Sequence, residues 1–125
     1  MIKEKDLSQS FKDKFNKALS LKSSNNYQDA LNLFGTLQLE EPEYYLTYTM
    51  IGHIYTKMNQ LNEASENFKK AVSLNPNSEK VSLAYFHVLW DEGKEVEALD
   101  EMKRFLKNND SETYQEILDE INEGE

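Results

Sequence analysis

The stretch YLTYTMIGHIYTKMNQLNEASENFKKAVSLNPNS, Tyr45 to Ser78, decides the fold. It contains two segments with apolar residues at helical spacing, separated by Met58, Asn59 and Gln60. The first, Tyr45 to Met58, carries Tyr48, Ile51, Gly52 and Tyr55 on one face; the second carries Leu61, Ala64, Phe68, Ala71 and Val72. Asn59 tolerates the left-handed backbone that closes a helix C-terminus, and Pro76 helps stop the second helix from running on. The stretch therefore reads as a helix, a reversal and a second antiparallel helix.

Shifting by 34 residues in either direction finds the same positions again. Ala30, Ala64 and Ala98 form one ladder, and Phe34, Phe68 and Met102 a second. Leu37, Ala71 and Phe105 form a third, Pro42, Pro76 and Asp110 a fourth, and Asn25, Asn59 and Gly93 a fifth. The alanines belong where two helices cross closely, and the Phe/Phe/Met rung fills the same face one turn later. Outside the quoted stretch, first helices are predicted around Phe11–Lys22 and Val81–Trp90. Second helices are marked by Tyr27, Ala30, Leu31, Phe34 and Leu37, and by Val96, Leu99, Met102, Phe105 and Leu106. A last helix begins near Ser111, an N-cap residue, and carries Tyr114, Ile117, Leu118 and Ile121, with Tyr114, Ile117 and Leu118 expected to face the Val96–Leu106 helix. Seven helices and no strand result.

A 34-residue helix–turn–helix period resembles the tetratricopeptide repeat family. The quoted stretch carries the residues that define it: Tyr48, Ile51, Gly52, Tyr55, Ala64, Phe68, Ala71 and Pro76. The resemblance implies an all-α, right-handed α-solenoid of about seven antiparallel helices in one domain spanning residues 1–125. Its repeats would lie at about 11–44, 45–78 and 79–110, with a C-terminal helix at about 111–122. Two departures carry meaning. Lys14 and Lys17 stand where apolar residues would meet a preceding repeat. Phe86 replaces the small residue found as Ala18 and Gly52, which should widen the third helix pair.

Composition narrows the function. With no cysteine, disulfides and thiolate metal sites are excluded. No stretch approaches the roughly 20 apolar residues of a membrane span, and Met1 to Ser10 lacks the apolar run of a signal peptide, so the chain reads as soluble and cytoplasmic. Net charge is −9 and unevenly placed. Residues 1–22 hold six lysines against Glu4, Asp6 and Asp13, whereas residues 91–125 hold thirteen acids against Lys94, Lys103, Arg104 and Lys107. Phosphate backbones would be repelled by most of the molecule, which argues against nucleic acid. The acidic end either solvates the stack or attracts a basic partner surface.

Stacked helix pairs curve, and the resemblance implies a partner-binding groove on the inner face formed by the first helices. Spacing aims Phe15 and Leu19 into it from the first repeat, with Lys12 and Lys22 beside them. The second repeat contributes Leu46, Thr49 and His53, and the third contributes Lys80, Leu83, His87 and Trp90. From Leu83 to Trp90 the third helix is apolar nearly all round and must be covered, by its own protein or by a partner. Trp90, Leu83 and Phe15 are the candidate anchors. The family's clamp for a C-terminal carboxylate needs Lys, Asn and Arg at inner positions that here hold Phe15, Leu19, His53, Lys80 and Ala84, and only Lys80 fits.

His53 and His87 share a rung but have no inward carboxylate or cysteine to complete a metal site, so no metal or cofactor is expected. The acid pairs Glu40–Glu41 and Asp119–Glu120 sit at a helix end and in the acidic tail, and no nucleophile–base pair or phosphate loop occurs, so no enzyme is expected. The sequence therefore points to an adaptor or chaperone-like module that binds a protein or peptide segment. Two alternatives stand beside it: a self-associating scaffold or homodimer, and a three-repeat chaperone like those of bacterial secretion systems.

Overall fold

A computed structural model describes residues 1–124, all of the chain except Glu125. Seven α-helices follow a short 3-10 turn at Glu4–Asp6. They are α1 (Gln9–Ser23), α2 (Tyr27–Glu40), α3 (Tyr45–Lys57), α4 (Leu61–Leu74), α5 (Glu79–Asp91), α6 (Glu95–Asn108) and α7 (Glu112–Glu123). There is no strand among the described residues. Helices α1/α2, α3/α4 and α5/α6 pair as antiparallel hairpins, and α2 against α3 and α4 against α5 join the pairs into one stack.

The three hairpin turns share one hydrogen-bond pattern, and the sequence shows why. Asn25, Asn59 and Gly93 have φ of 62°, 58° and 81°. These are the residues that tolerate the left-handed region with least strain. Each sends its own N–H three residues back, to Lys22, Thr56 and Trp90, while the following N–H reaches five residues back, to Leu21, Tyr55 and Leu89. That double closure satisfies carbonyls that the helix end would otherwise orphan. At the opposite ends, Ser8, Ser78 and Ser111 accept from the N–H groups of Phe11, Val81 and Tyr114 and so start α1, α5 and α7.

The ladders are the core. Ala30, Ala64 and Ala98 are each 0% exposed, and Phe34, Phe68 and Met102 lie between 0% and 2%. The Ala64/Phe68 pair needs Gly52 opposite: a Cβ there would stand 2.7 Å from the Phe68 ring, a distance no side chain tolerates. In the third pair Phe86 occupies that rung, and the flexible Met102 replaces the facing phenylalanine. The Phe86 ring stacks on Trp90 at 5.7 Å and meets Tyr114 of α7 edge-on at 5.6 Å. Val96, expected among the α6 core residues, is instead 74% exposed. Its rung is Gln28 and Asn62 in the earlier pairs, an outward position.

Helix α7 follows a different step. The loops before α3 and α5 run over 41–44 and 75–78, but the loop before α7 runs over 109–111, one residue shorter. The N-caps are accordingly Tyr44, Ser78 and Ser111. With this shift Tyr114, Ile117 and Leu118 take the places of Val81, Ala84 and Tyr85, and they pack into the cluster of Phe86, Leu89 and Phe105. The helix thus sits in the notch between α5 and α6 rather than on α6 alone. Total exposed area is 7564 Å², against about 6,900 Å² for a globular chain of this mass. The excess fits an elongated stack with an open inner face.

Candidate functional site

The first helices α1, α3 and α5 lie side by side, with α7 as a fourth, and their shared face opposite α2, α4 and α6 forms a trough. Two apolar hollows open into it. The first, about 290 Å³, lies between α1 and α3. It is lined by Phe15, Leu19, Tyr44 and Leu46, with Leu7 and Glu4 of the N-terminal turn closing one side and Lys12 at the rim. The second, about 220 Å³, lies between α5 and α7, where Phe86, His87 and Trp90 face Ile117, Glu120 and Ile121. Trp90 is half-buried beside α7 but not sealed by it.

The expected trough residues fall into two groups. Leu19, Leu46, His53, Leu83 and Trp90 are half-buried, and Lys80 and His87 are exposed, as side chains offered to a ligand would be. Phe15 and Thr49 are floor. Phe15 is 7% exposed and meets Phe34 at 5.4 Å and Tyr44 at 5.9 Å. Thr49 is 5% exposed and donates its hydroxyl to the Tyr45 carbonyl. The hollows also draw on residues that inward spacing did not select: Leu7, Tyr44, Ile117 and Ile121. Ile117 and Ile121 stood in the sequence as an apolar pair on α7, but the one-residue slip placed them off the ladder.

Between the hollows, on α3, stands the half-buried His53. His53 meets Phe68 edge-on at 5.1 Å, and burial first, then the charges of Lys22 and Lys57, hold its imidazole below the usual value. It is therefore neutral at pH 7 and has a ring N–H to donate. Among the described residues no three His, Asp or Glu side chains converge as metal ligands, and no helix is long and apolar enough to cross a membrane.

A buried polar network lies behind the second hollow and fixes its walls. Ser82 on α5 donates to Glu101 Oε2 at 2.6 Å, and with that proton committed the Tyr114 hydroxyl donates to Ser82 Oγ at 2.7 Å. Arg104 grips both Glu101 oxygens at 2.8 Å and donates to the Pro76 carbonyl at 3.0 Å. One carboxylate thus ties α5, α6, α7 and the loop before α5 together, fully hydrogen-bonded as a buried charge must be. Burial pushes the Tyr114 phenol well above its ordinary value, despite the opposing hydrogen bond to Ser82.

Comparison with known proteins agrees with this architecture. A family model described as tetratricopeptide repeat matches residues 45–78. No curated protein sequence matches the chain. The Yersinia enterocolitica type III secretion chaperone SycD, solved with a peptide of the translocator YopD, superposes with a TM-score of 0.76 at 14% identity, covering 94% of this chain and 90% of that one. A MamA variant superposes at 0.70 with 23% identity, covering 85% of this chain and 77% of that one. Of a second MamA structure (AMB-1), superposing at 0.70 with 23% identity over 82% of this chain, the chain spans 57%. Residues 45–78 are a tetratricopeptide repeat, and the chain folds as a helical solenoid of the tetratricopeptide type.

Proposed function

We propose that this protein is a non-catalytic binding module, an adaptor or chaperone that holds a short segment of a partner protein in the trough across α1, α3, α5 and α7. The observation that carries the reading is Trp90, an aromatic side chain left half-exposed at the mouth of a preformed apolar hollow. Aromatic anchors in such hollows dominate the energetics of protein recognition. A solved chaperone of this fold was captured with a peptide of its translocator, which supports the same use of the fold here. The site would work as one repeat domain in the cytoplasm, with neither metal nor cofactor.

The test is capture of a partner from the native host by wild type beside a Trp90→Ala/Leu83→Ala variant. The variant should keep its far-UV dichroism and lose the partner, with affinity falling at least about 30-fold if each truncation costs 1–2 kcal/mol. Undiminished capture by a folded variant would remove the trough from the mechanism. The rival reading is self-association, for which the lysine-rich first helix and the acidic C-terminal end offer opposite charges. Light scattering across a concentration range separates the two: a monomer at all concentrations leaves the trough for a foreign ligand, and a stable dimer favours self-assembly.

A further inference from the structure

The charges around the trough are sorted by position. On the α1/α3 side stand Lys12, at the rim of the first hollow, and Lys22 and Lys57 flanking His53. The acids at that end are Glu4, on the N-terminal turn, and Asp13, which accepts from the Gln9 side chain at the edge of the hollow. On the α5/α7 side stand Glu120, lining the second hollow, and Asp91 beside Trp90, with Glu116 one turn before Glu120 on the adjoining stripe of α7. The lysines there are Lys80, one helical end away, and Lys94 of the α5/α6 turn, which is paired with Glu92. Lysines therefore outnumber acids in the α1/α3 half of the trough, and acids prevail in the α5/α7 half.

The hollows fix a spacing. One lies between the first and second of the parallel helices and the other between the third and fourth, so two helix spacings separate them. At 8–10 Å per spacing, with a small offset along the axes, the span is about 20 Å. An extended chain covers that in about six residues at 3.3 Å each. The floor between the hollows favours an extended ligand over a helical one. An extended segment brings unpaired backbone groups, and His53 and Lys80 offer polar side chains to meet them, whereas a helix has already paired its own.

Resting on the trough reading above, we infer that the ligand is an extended segment of a partner protein with two large apolar residues about six positions apart. It is acidic at the end that lies over Lys12 and Lys22 and basic at the end that lies over Glu116 and Glu120. Apolar anchors would supply the affinity, and the sorted charges would set which way the chain lies.

The experiment uses end-blocked synthetic peptides and calorimetry at low salt. One peptide has two glutamates, a leucine, five small polar residues, a second leucine and two lysines. Its controls carry glutamates at both ends, lysines at both ends, or only one residue between the leucines. The dipolar peptide should bind about tenfold more tightly than either uniformly charged one, since rim pairs contribute several tenths of a kcal/mol each, and the short-spacer peptide should bind least. Exchanging the charges should exchange the preference. Glu116→Lys/Glu120→Lys should favour the all-glutamate peptide, and Lys12→Glu/Lys22→Glu the all-lysine one. Equal affinities for the three charge patterns, or a preference unmoved by either charge exchange, would overturn the polarity. Failure of every peptide to bind would overturn the two-anchor ligand. If capture of a host partner still depends on Trp90 and Leu83 in those cases, the trough stands and only its ligand chemistry falls.

Discussion

Thr47 shows how far a repeat can be used to judge a single side chain. It is 0% exposed on α3, and its hydroxyl has no hydrogen-bond partner. One period later the same place is held by Val81, which is nearly the same shape and is likewise buried. A buried hydroxyl without a partner costs about 1–3 kcal/mol relative to an apolar group of the same shape. Thr47→Val should therefore stabilise the protein by about 1–2 kcal/mol, read as a higher urea midpoint at unchanged slope. A midpoint that falls would mean the hydroxyl is in fact satisfied. The residues most legible in the sequence were of this kind, with a local and steric reason. Asn25, Asn59 and Gly93 read as turn residues from their type and spacing, and all three have positive φ. Gly52 reads as part of a motif, but only the Phe68 ring beside it explains why nothing larger fits.

At the scale of the element, α7 is held differently from the other six helices. Only Tyr114 is fully buried on it, and that side chain joins Phe86 and Phe105 to the Ser82–Glu101–Arg104 network. Because its phenol titrates well above 10, the unfolded chain releases that proton first as the solution becomes alkaline. The contribution is fully present below pH 10 and is lost as pH rises above it. Tyr114→Phe should thus be less stable than wild type at pH 7 by about 1 kcal/mol, yet lose less on going to pH 11, measured by urea unfolding at both values. Parallel losses in the two proteins would contradict the assignment. That α7 exists was plain from Ser111 and the apolar spacing behind it. Its seat was not, because a loop shortened by one residue changes which face meets the stack without changing the helix's own pattern. Val96 is exposed for a related reason: an apolar residue at helical spacing still has to fall on an inward rung.

For the molecule as a whole, the repeat fixes both the fold and the order in which it comes apart. The α3/α4 pair is packed on both sides, by α2 and by α5, while α1 and α7 each have neighbours on one side only. In a stack stabilised by nearest-neighbour interfaces, the middle should open last. Native-state hydrogen exchange should find the slowest amides in α3 and α4, around Ile54 and Phe68, and the fastest helical amides in the second half of α7. Uniform protection along the chain would point to a single all-or-none unit. The trough itself was only half legible. Its first-helix residues follow from periodicity, but the hollows depend on Leu7 and Tyr44 at one end and Ile117 and Ile121 at the other. Those positions are set by how non-repeating segments settle onto the stack.

The lone indole of the chain has a further use. Because Trp90 stands at the rim of one hollow and no second tryptophan exists to mask it, the intrinsic emission of the unlabelled protein reports on that half of the inner surface. A segment that seats there should move the emission maximum towards the blue as water leaves the ring. A molecule confined to the α1/α3 half would leave the spectrum unchanged. The protein thus carries its own optical probe, which can tell the two ends of its inner face apart without any chemical modification.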